Sequence, residues 1–399
     1  MSLNNCRNLY CKCLILTLGI LIIGCTNEGT EDNLADAIFT DMAFDKSGQM
    51  LMVGTYANRD HSQVKSLVKY DSRRDTLLKS TEYGSVFNPK IHFNSLGHEL
   101  LAYYTPMDTA KPSERLVLKH YVEDSLIYDK KFGYRARLID FLPGLYETSF
   151  ILSYYRGMHQ GEFAKHRNNY ISFRKEVKSE GNNLLPQCMT YDNDTIYIGG
   201  QIGTPHSYDG HVYNERFFGS FLSQYDAAGN QLWYTQIEPE ADIIISDVSV
   251  QDNLLYAFYT IISDSTDSAD IRVSRYTKAG NFVDNIDISE PQNQSAGRII
   301  HFPRLSTILY NTDESGVQTL STAVIDRSDL SIKKKIKMDY GVDEVHDVEM
   351  LADTAFVLTV ARDTFGIDVA SNLIKIHVDG EHIRHSKIHT RALVSSSGH

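Results

Sequence analysis

The chain has 399 residues, 42% hydrophobic and 23% charged, with 39 Lys and Arg against 51 Asp and Glu and a formal net charge of −12. That apolar share excludes a disordered chain, and 9 prolines with 25 glycines exclude a collagen-like or proline-rich fibre. An acidic excess with no stripe of Lys and Arg excludes nucleic acid as the main partner, because phosphate binding needs clustered cations.

Residues 1–24 read as an export signal. Arg7 and Lys12 supply a positive start, and Leu14–Gly24 is an uncharged apolar run of about 11 residues, too short to span a bilayer core. The run ends in Leu21-Ile22-Ile23-Gly24-Cys25 and gives way to the polar stretch TNEGTEDN. This resembles the bacterial lipoprotein signal, in which a small residue precedes a cysteine that is lipidated and becomes N-terminal. The resemblance implies loss of residues 1–24, acyl chains such as palmitate on Cys25, and a lipidated linker over residues 25–36. Two or three acyl chains give durable membrane anchoring. Thr26 is not the Asp that resembles an inner-membrane retention signal, so the implied address is the outer membrane, facing the periplasm or the surface. Cleavage would remove Arg7 and Lys12, taking the charge from −12 to −14. It would also remove Cys6, Cys11 and Cys13. With Cys25 lipidated, Cys188 has no partner for an intramolecular disulfide.

Residues 37–391 are short runs rich in Val, Ile, Tyr, Phe and Thr, separated by Gly, Asn and Asp turns, with no helical periodicity. One element recurs, an alternating strand, a polar turn and a second strand, as in SLVKYDSRRDTLLKSTEY and FLSQYDAAGNQLWYTQI. Its anchors are Tyr70, Tyr121, His166, Tyr225, Tyr276, Ile325 and Ile376. A strand precedes each, from Met50–Tyr56 and Glu99–Tyr104 through Ala355–Val360. A shorter strand comes before that one, clearest in DMAFDKSGQ, CMTYDNDT, DVSVQDN and DVEMLADT. The predicted fold is therefore all-β, a seven-bladed β-propeller with four antiparallel strands per blade of about 51 residues. Radial stacking hides the two apolar faces that a lone four-stranded sheet would expose. Neither terminus supplies an obvious spare strand to latch the ring, unless segment 34–38 or RALVS (391–395), which runs into the tail at 392–399, adds one.

The run from Cys188 to Ile237 resembles the seven-bladed propeller repeat of exported bacterial proteins, of the quinoprotein-like or NHL-like type. Its marks are a glycine-ended strand, the turn Asp226-Ala-Ala-Gly-Asn230 and Leu232-Trp233. Trp233 is the sole tryptophan, so a ring of docking tryptophans is absent. The resemblance implies a fold and not quinone chemistry.

Asp41, Asp247 and Asp347 hold equivalent first-strand places, Cys188 holds the same place in the fourth unit, and Asp140 lies close to it. First strands line a propeller's channel. These carboxylates would either bind a cation there or accept hydrogen bonds from the neighbouring blade, and the second reading is favoured. His92, His301 and His346 also lie on or near first strands. Their spacing follows no metal motif, and no metal or other cofactor is expected. The insertion Gln201–Gly219 carries His206, Tyr208, His211, Tyr213, Arg216 and Phe217. Ser153–Phe163 carries Tyr154, Tyr155 and Arg156. Aromatic rings with a few polar groups suit a sugar or a protein patch. The sequence has no nucleophile elbow, Walker loop, HExxH helix or CxxC pair, so no catalytic residue is named. The expected function is a membrane-anchored, non-enzymatic binding or scaffolding module for an envelope protein or glycan. The alternative is a polysaccharide lyase or hydrolase working at the channel mouth.

Overall fold

The computed structural model describes residues 38–57, 65–71, 76–79, 86–105, 115–122, 125–132, 136–144, 148–155, 160–167, 170–177, 179, 183–203, 217–238, 242–263, 268–314, 317–338, 343–352, 354–362, 368–377 and 383–387. All belong to the unit Ala35–His399. Cys25, the signal and linker, segment 34–37 and the tail lie outside them.

The described strands fall into seven antiparallel sheets of four. The first holds β1 (Ile38–Phe44), β2 (Met50–Ala57), β3 (Lys65–Asp71) and β4 (Thr76–Lys79). The second holds β5 (Phe87–Phe93), β6 (Glu99–Thr105), β7 (Arg115–Val122) and β8 (Ser125–Phe132). The third holds β9 (Ala136–Pro143), β10 (Thr148–Tyr155), β11 (Gln160–Arg167) and β12 (Tyr170–Val177). The fourth holds β13 (Asn183–Asp192), β14 (Thr195–Gly203), β15 (Phe217–Tyr225) and β16 (Gln231–Ile237). The fifth holds β17 (Asp242–Gln251), β18 (Leu254–Ser263), β19 (Ser268–Thr277) and β20 (Phe282–Ile288). The sixth holds β21 (Asn293–His301), β22 (Leu305–Glu314), β23 (Val317–Asp326) and β24 (Ile332–Lys337). The last holds β25 (Asp343–Leu351), β26 (Thr354–Arg362), β27 (Asp368–His377) and β28 (Ile383–Lys387).

Each sheet's first strand packs against the first strand of the next, and β25 packs against β1. The sheets thus close radially into a β-propeller with four-stranded blades. Both faces of a middle strand are covered, so its sequence reads as a continuous apolar run: Leu255, Tyr256, Ala257, Phe258 and Tyr259 of β18 are all buried. Outermost strands alternate instead, as in β20, where Asn285 and Asp287 are exposed while Ile286 is half-buried and Ile288 buried. Between the fourth and fifth sheets, Tyr197, Leu222 and Ile237 meet Ile245, Val248 and Leu255. On the rim of that interface the Trp233 indole donates to the Lys278 carbonyl at 2.9 Å. The ring lies over Gly280, where a Cβ would come within 2.9 Å of it.

No strand is shared between the first and last sheets among the described residues. Their seam is closed by side chains. The Phe39 amide donates to the Ser371 hydroxyl at 2.8 Å, and the Met42 amide to Asp347 Oδ2 at 2.8 Å. The Phe44 and Phe356 rings meet at 4.8 Å between centroids.

Candidate functional site: the charged end of the channel

Every first strand carries a register irregularity at the same height. The residue just beyond it is Asp41, Lys90, Asp140, Cys188, Asp247, Arg298 and Asp347 in turn. A bulge inserts one residue, bends the strand and re-aims the next side chain; six of these line the channel, and Cys188 packs between the fourth and fifth sheets.

The four aspartates do one job. Asp41 Oδ2 accepts the Ile91 amide at 2.6 Å, and Asp140 Oδ2 the Met189 amide at 3.1 Å. Asp247 Oδ2 accepts the Ile299 amide, and Asp347 Oδ2 the Met42 amide, both at 2.8 Å. Each donor stands one residue past the bulge position of the next blade. The favoured reading of these carboxylates, as acceptors for the neighbouring blade, describes this geometry. The two cations reach back to the preceding blade. Lys90 Nζ is 3.0 Å from Asp41 Oδ1. Arg298 Nη1 is 3.0 Å from the Ser246 carbonyl and 3.8 Å from Asp247 Oδ1. The sequence reading missed both cations. The signal was present, since KIHF and RIIH align with DMAF and DVEM, but the search followed carboxylates and histidines.

Beyond this ring the channel opens into a cavity of about 350 Å³. Its walls come from the middle and the far ends of the first strands. It therefore lies toward the turns joining first to second strands. His92, His301, Ser249 and Glu349 line it together with Asp41, Asp140, Asp247 and Asp347. His346 is not among the residues that line this cavity. It occupies the bulge immediately before Asp347.

The ionisable groups are perturbed chiefly by burial. Burial pushes the Glu349 carboxyl well above the ordinary range, and Asp347 and Asp41 push it further. Burial raises Asp41 as well, against the pull of Lys90. Asp247 is raised to about 6 by burial, which outweighs Arg298. Burial alone would lower Lys90, but Asp41, Asp347 and Asp140 leave it raised. Burial lowers His92 to about 3. His301 is lowered to about 4 by burial and then by Arg327. The His301 ring bridges two hydroxyls at 2.7 Å each, Ser249 at Nε2 and Ser306 at Nδ1. His92 packs on Phe141 with centroids 4.2 Å apart. Neither of its ring nitrogens has a hydrogen-bond partner among the described residues. Also among these residues, no three His, Cys, Asp or Glu side chains are placed to hold a metal ion.

The loop candidates attach elsewhere. Gly203 ends β14 and Phe217 begins β15, and Tyr154 and Tyr155 end β10. Both insertions therefore join second to third strands, at the opposite end of the strands from the cavity. Tyr154 is half-buried. Tyr155 and Phe217 are placed by backbone alone, and Arg156, His206, Tyr208, His211, Tyr213 and Arg216 lie outside the described residues.

No family model matches the chain, and no curated protein does. Solved structures share its fold at low identity. A PL25 ulvan lyase superposes with a TM-score of 0.54 at 10% identity, covering 89% of this chain and 95% of that one. The Dos1 propeller gives 0.54 at 11%, covering 90% and 86%. The propeller domain of the trilobed protease from Pyrococcus furiosus, described as having an open velcro topology, gives 0.50 at 11%, covering 86% and 93%. These likenesses establish the propeller and carry no chemistry.

Proposed function

We propose that this chain is a non-enzymatic binding or scaffolding module of the bacterial cell envelope. Its seven sheets serve as seven blades of one rigid ring, held at the outer membrane by acyl chains on Cys25. The ring presents one face to an envelope protein or a glycan. The supporting observation is the fate of the channel carboxylates: Asp41, Asp140, Asp247 and Asp347 each hold a backbone amide of the next blade. Each of these carboxylates thus has one oxygen committed to joining blades. β14 ends and β15 begins at the strand ends away from the cavity, as does β10 with the half-buried Tyr154, and loops at the rim of a rigid scaffold commonly carry recognition.

A second reading, a polysaccharide lyase or hydrolase at the channel mouth, draws on one observation. His92, His301 with Ser249, and Lys90 share a cavity with Glu349, and propellers of similar fold include polysaccharide lyases. One experiment separates the two. The Cys25-anchored protein is purified from its native membrane, its companions are identified, and the same sample is incubated with uronate-containing polysaccharides. The binding reading expects a specific companion or glycan and no chain cleavage. Ultraviolet absorbance from an unsaturated product, with no companion retained, overturns it.

A further inference from the structure

Histidine is unevenly placed in this ring. The junction between the second and third sheets gathers His92, His98, His120 and His166, each from a different element. His92 of β5 packs its ring on Phe141 of β9, with centroids 4.2 Å apart. His166 of β11 meets Tyr128 of β8 at 5.5 Å between centroids. His98, in the turn between β5 and β6, faces His120 of β7, its Nδ1 3.0 Å from the partner's Nε2. Leu100 and Leu118 of one sheet fill the same junction with Leu138, Phe141 and Ile151 of the other. His92, His120 and His166 are buried and His98 is half-buried. The described residues of the fourth and fifth sheets, by contrast, include no histidine.

The closed junction resists protons. Burial holds the His92 ring neutral, and it does the same for His166, where charge from His120 and from Lys130 of β8 adds to it. The His98–His120 pair is limited by geometry. Its centroids are 5.1 Å apart, so with 3.0 Å between the nitrogens the rings meet nearly end to end. That suits one N–H···N hydrogen bond, and a second hydrogen in the gap would face the first. The other charges nearby have places of their own. Lys46, in the turn between β1 and β2, lies over Gly97 beside His98. Lys119 pairs with Asp129 at 4.0 Å. On the channel side of His92, Asp41 holds Lys90 and Asp140 holds the Met189 amide, while Glu349 lines the same cavity from the last sheet.

We propose that the junction between the second and third blades is an acid-sensitive joint of the ring, closed near neutrality and loosened as the surroundings acidify. Parting of the two sheets wets these rings, and each then takes a proton as a free histidine does near about 6.5. In the closed state His92 is lowered to about 3 and His166 to about 4. Their contribution to closure is therefore present above about 6.5 and is lost as pH falls toward those values. Each proton that opening admits multiplies the opening equilibrium by up to about tenfold per pH unit. Several such protons at one junction make its response steep, whereas the junction between the fourth and fifth sheets, where Tyr197, Leu222 and Ile237 meet Ile245, Val248 and Leu255, has no such group among the described residues. The inference goes beyond the binding reading and does not depend on it.

The test is amide hydrogen exchange of the full-length protein, read by mass spectrometry at steps from about pH 7.5 to about pH 5 and corrected for the intrinsic rate. Sheets that part lose the partner covering one face, and their strands then exchange through local opening. Protection in β7, β8 and β11 should fall at least about thirtyfold per pH unit below about 6.5, and in β15 and β16 far less. His166→Gln and His120→Gln should each make that fall several-fold smaller per unit, with exchange at the neutral end little changed. Should His120→Gln misfold, His98→Gln, at the half-buried end of the pair, serves in its place. Equal loss of protection at both junctions, or a pH dependence that none of these variants alters, overturns the proposal. So does zinc chloride that raises protection in β7 of the unaltered protein and not of His120→Gln, since the pair would then be a metal site.

Discussion

At the scale of single residues, Asp347 differs from the other three channel aspartates in what it joins. Its oxygen takes the Met42 amide across the one seam where chain start meets chain end. Asp347→Ala leaves that buried amide unpaired and should cost about 1–3 kcal/mol in urea unfolding, while Asp347→Asn, which keeps an acceptor, should cost under half as much. His92 gives a pH prediction. Its folded pKa is about 3 against 6.5 for the free side chain. The unfolded chain therefore takes up the proton first, and this contribution to stability is present above about 6.5 and is lost as pH falls toward 3. Stability measured at steps from pH 4 to 6.5 should fall less steeply in His92→Gln, by about 1.4 kcal/mol per unit. The other titrating groups cancel in the difference. The site was half legible at this scale. The Asp repeat and His92 stood out as chemically marked letters in aligned strands. Glu349 did not, because it matters only through the residues of other blades with which it lines the cavity, a relation no linear spacing records.

At the scale of elements, the four-strand unit was readable because its turns repeat. Asp226 accepts the Ala228 and Asn230 amides at 2.9 and 2.8 Å, and Gly229 takes a φ of +81°. Thr277 to Asn281 closes the next sheet's outer turn in the same way, with Gly280 at +83°. Trp233 clamps one blade's outer strand onto that next turn, so Trp233→Ala should cost about 2–4 kcal/mol. Gly280→Ala should cost at least about 1 kcal/mol, since it meets both an unfavourable φ and the indole. As Trp233 is the chain's only tryptophan, its fluorescence in urea reports this junction directly, and Gly280→Ala should shift the emission toward longer wavelength. The bulges themselves were not legible. They arise where a strand must bend around the axis, and residues as different as Asp41, Lys90, Cys188 and Arg298 follow them.

At the scale of the whole molecule, every blade depends on two neighbours. Removing the last sheet by ending the chain at residue 342 would strip Asp347, Phe356 and Ser371 from the seam and expose an apolar face on each side of the gap. Circular dichroism of that variant should show no cooperative thermal transition, whereas the full chain should melt in one. Among the described residues, the seam between the terminal blades carries the Phe39–Ser371 and Met42–Asp347 hydrogen bonds and a pair of rings. A closed ring of this kind also keeps a secret. Cys188 sits at its inner wall, 2% exposed, with burial holding its thiol well above the ordinary range. An alkylating reagent can reach that sulfur only when the fourth and fifth blades part. The pace at which this single position becomes tagged, followed by mass spectrometry, is thus a built-in clock for how often the circle breathes open.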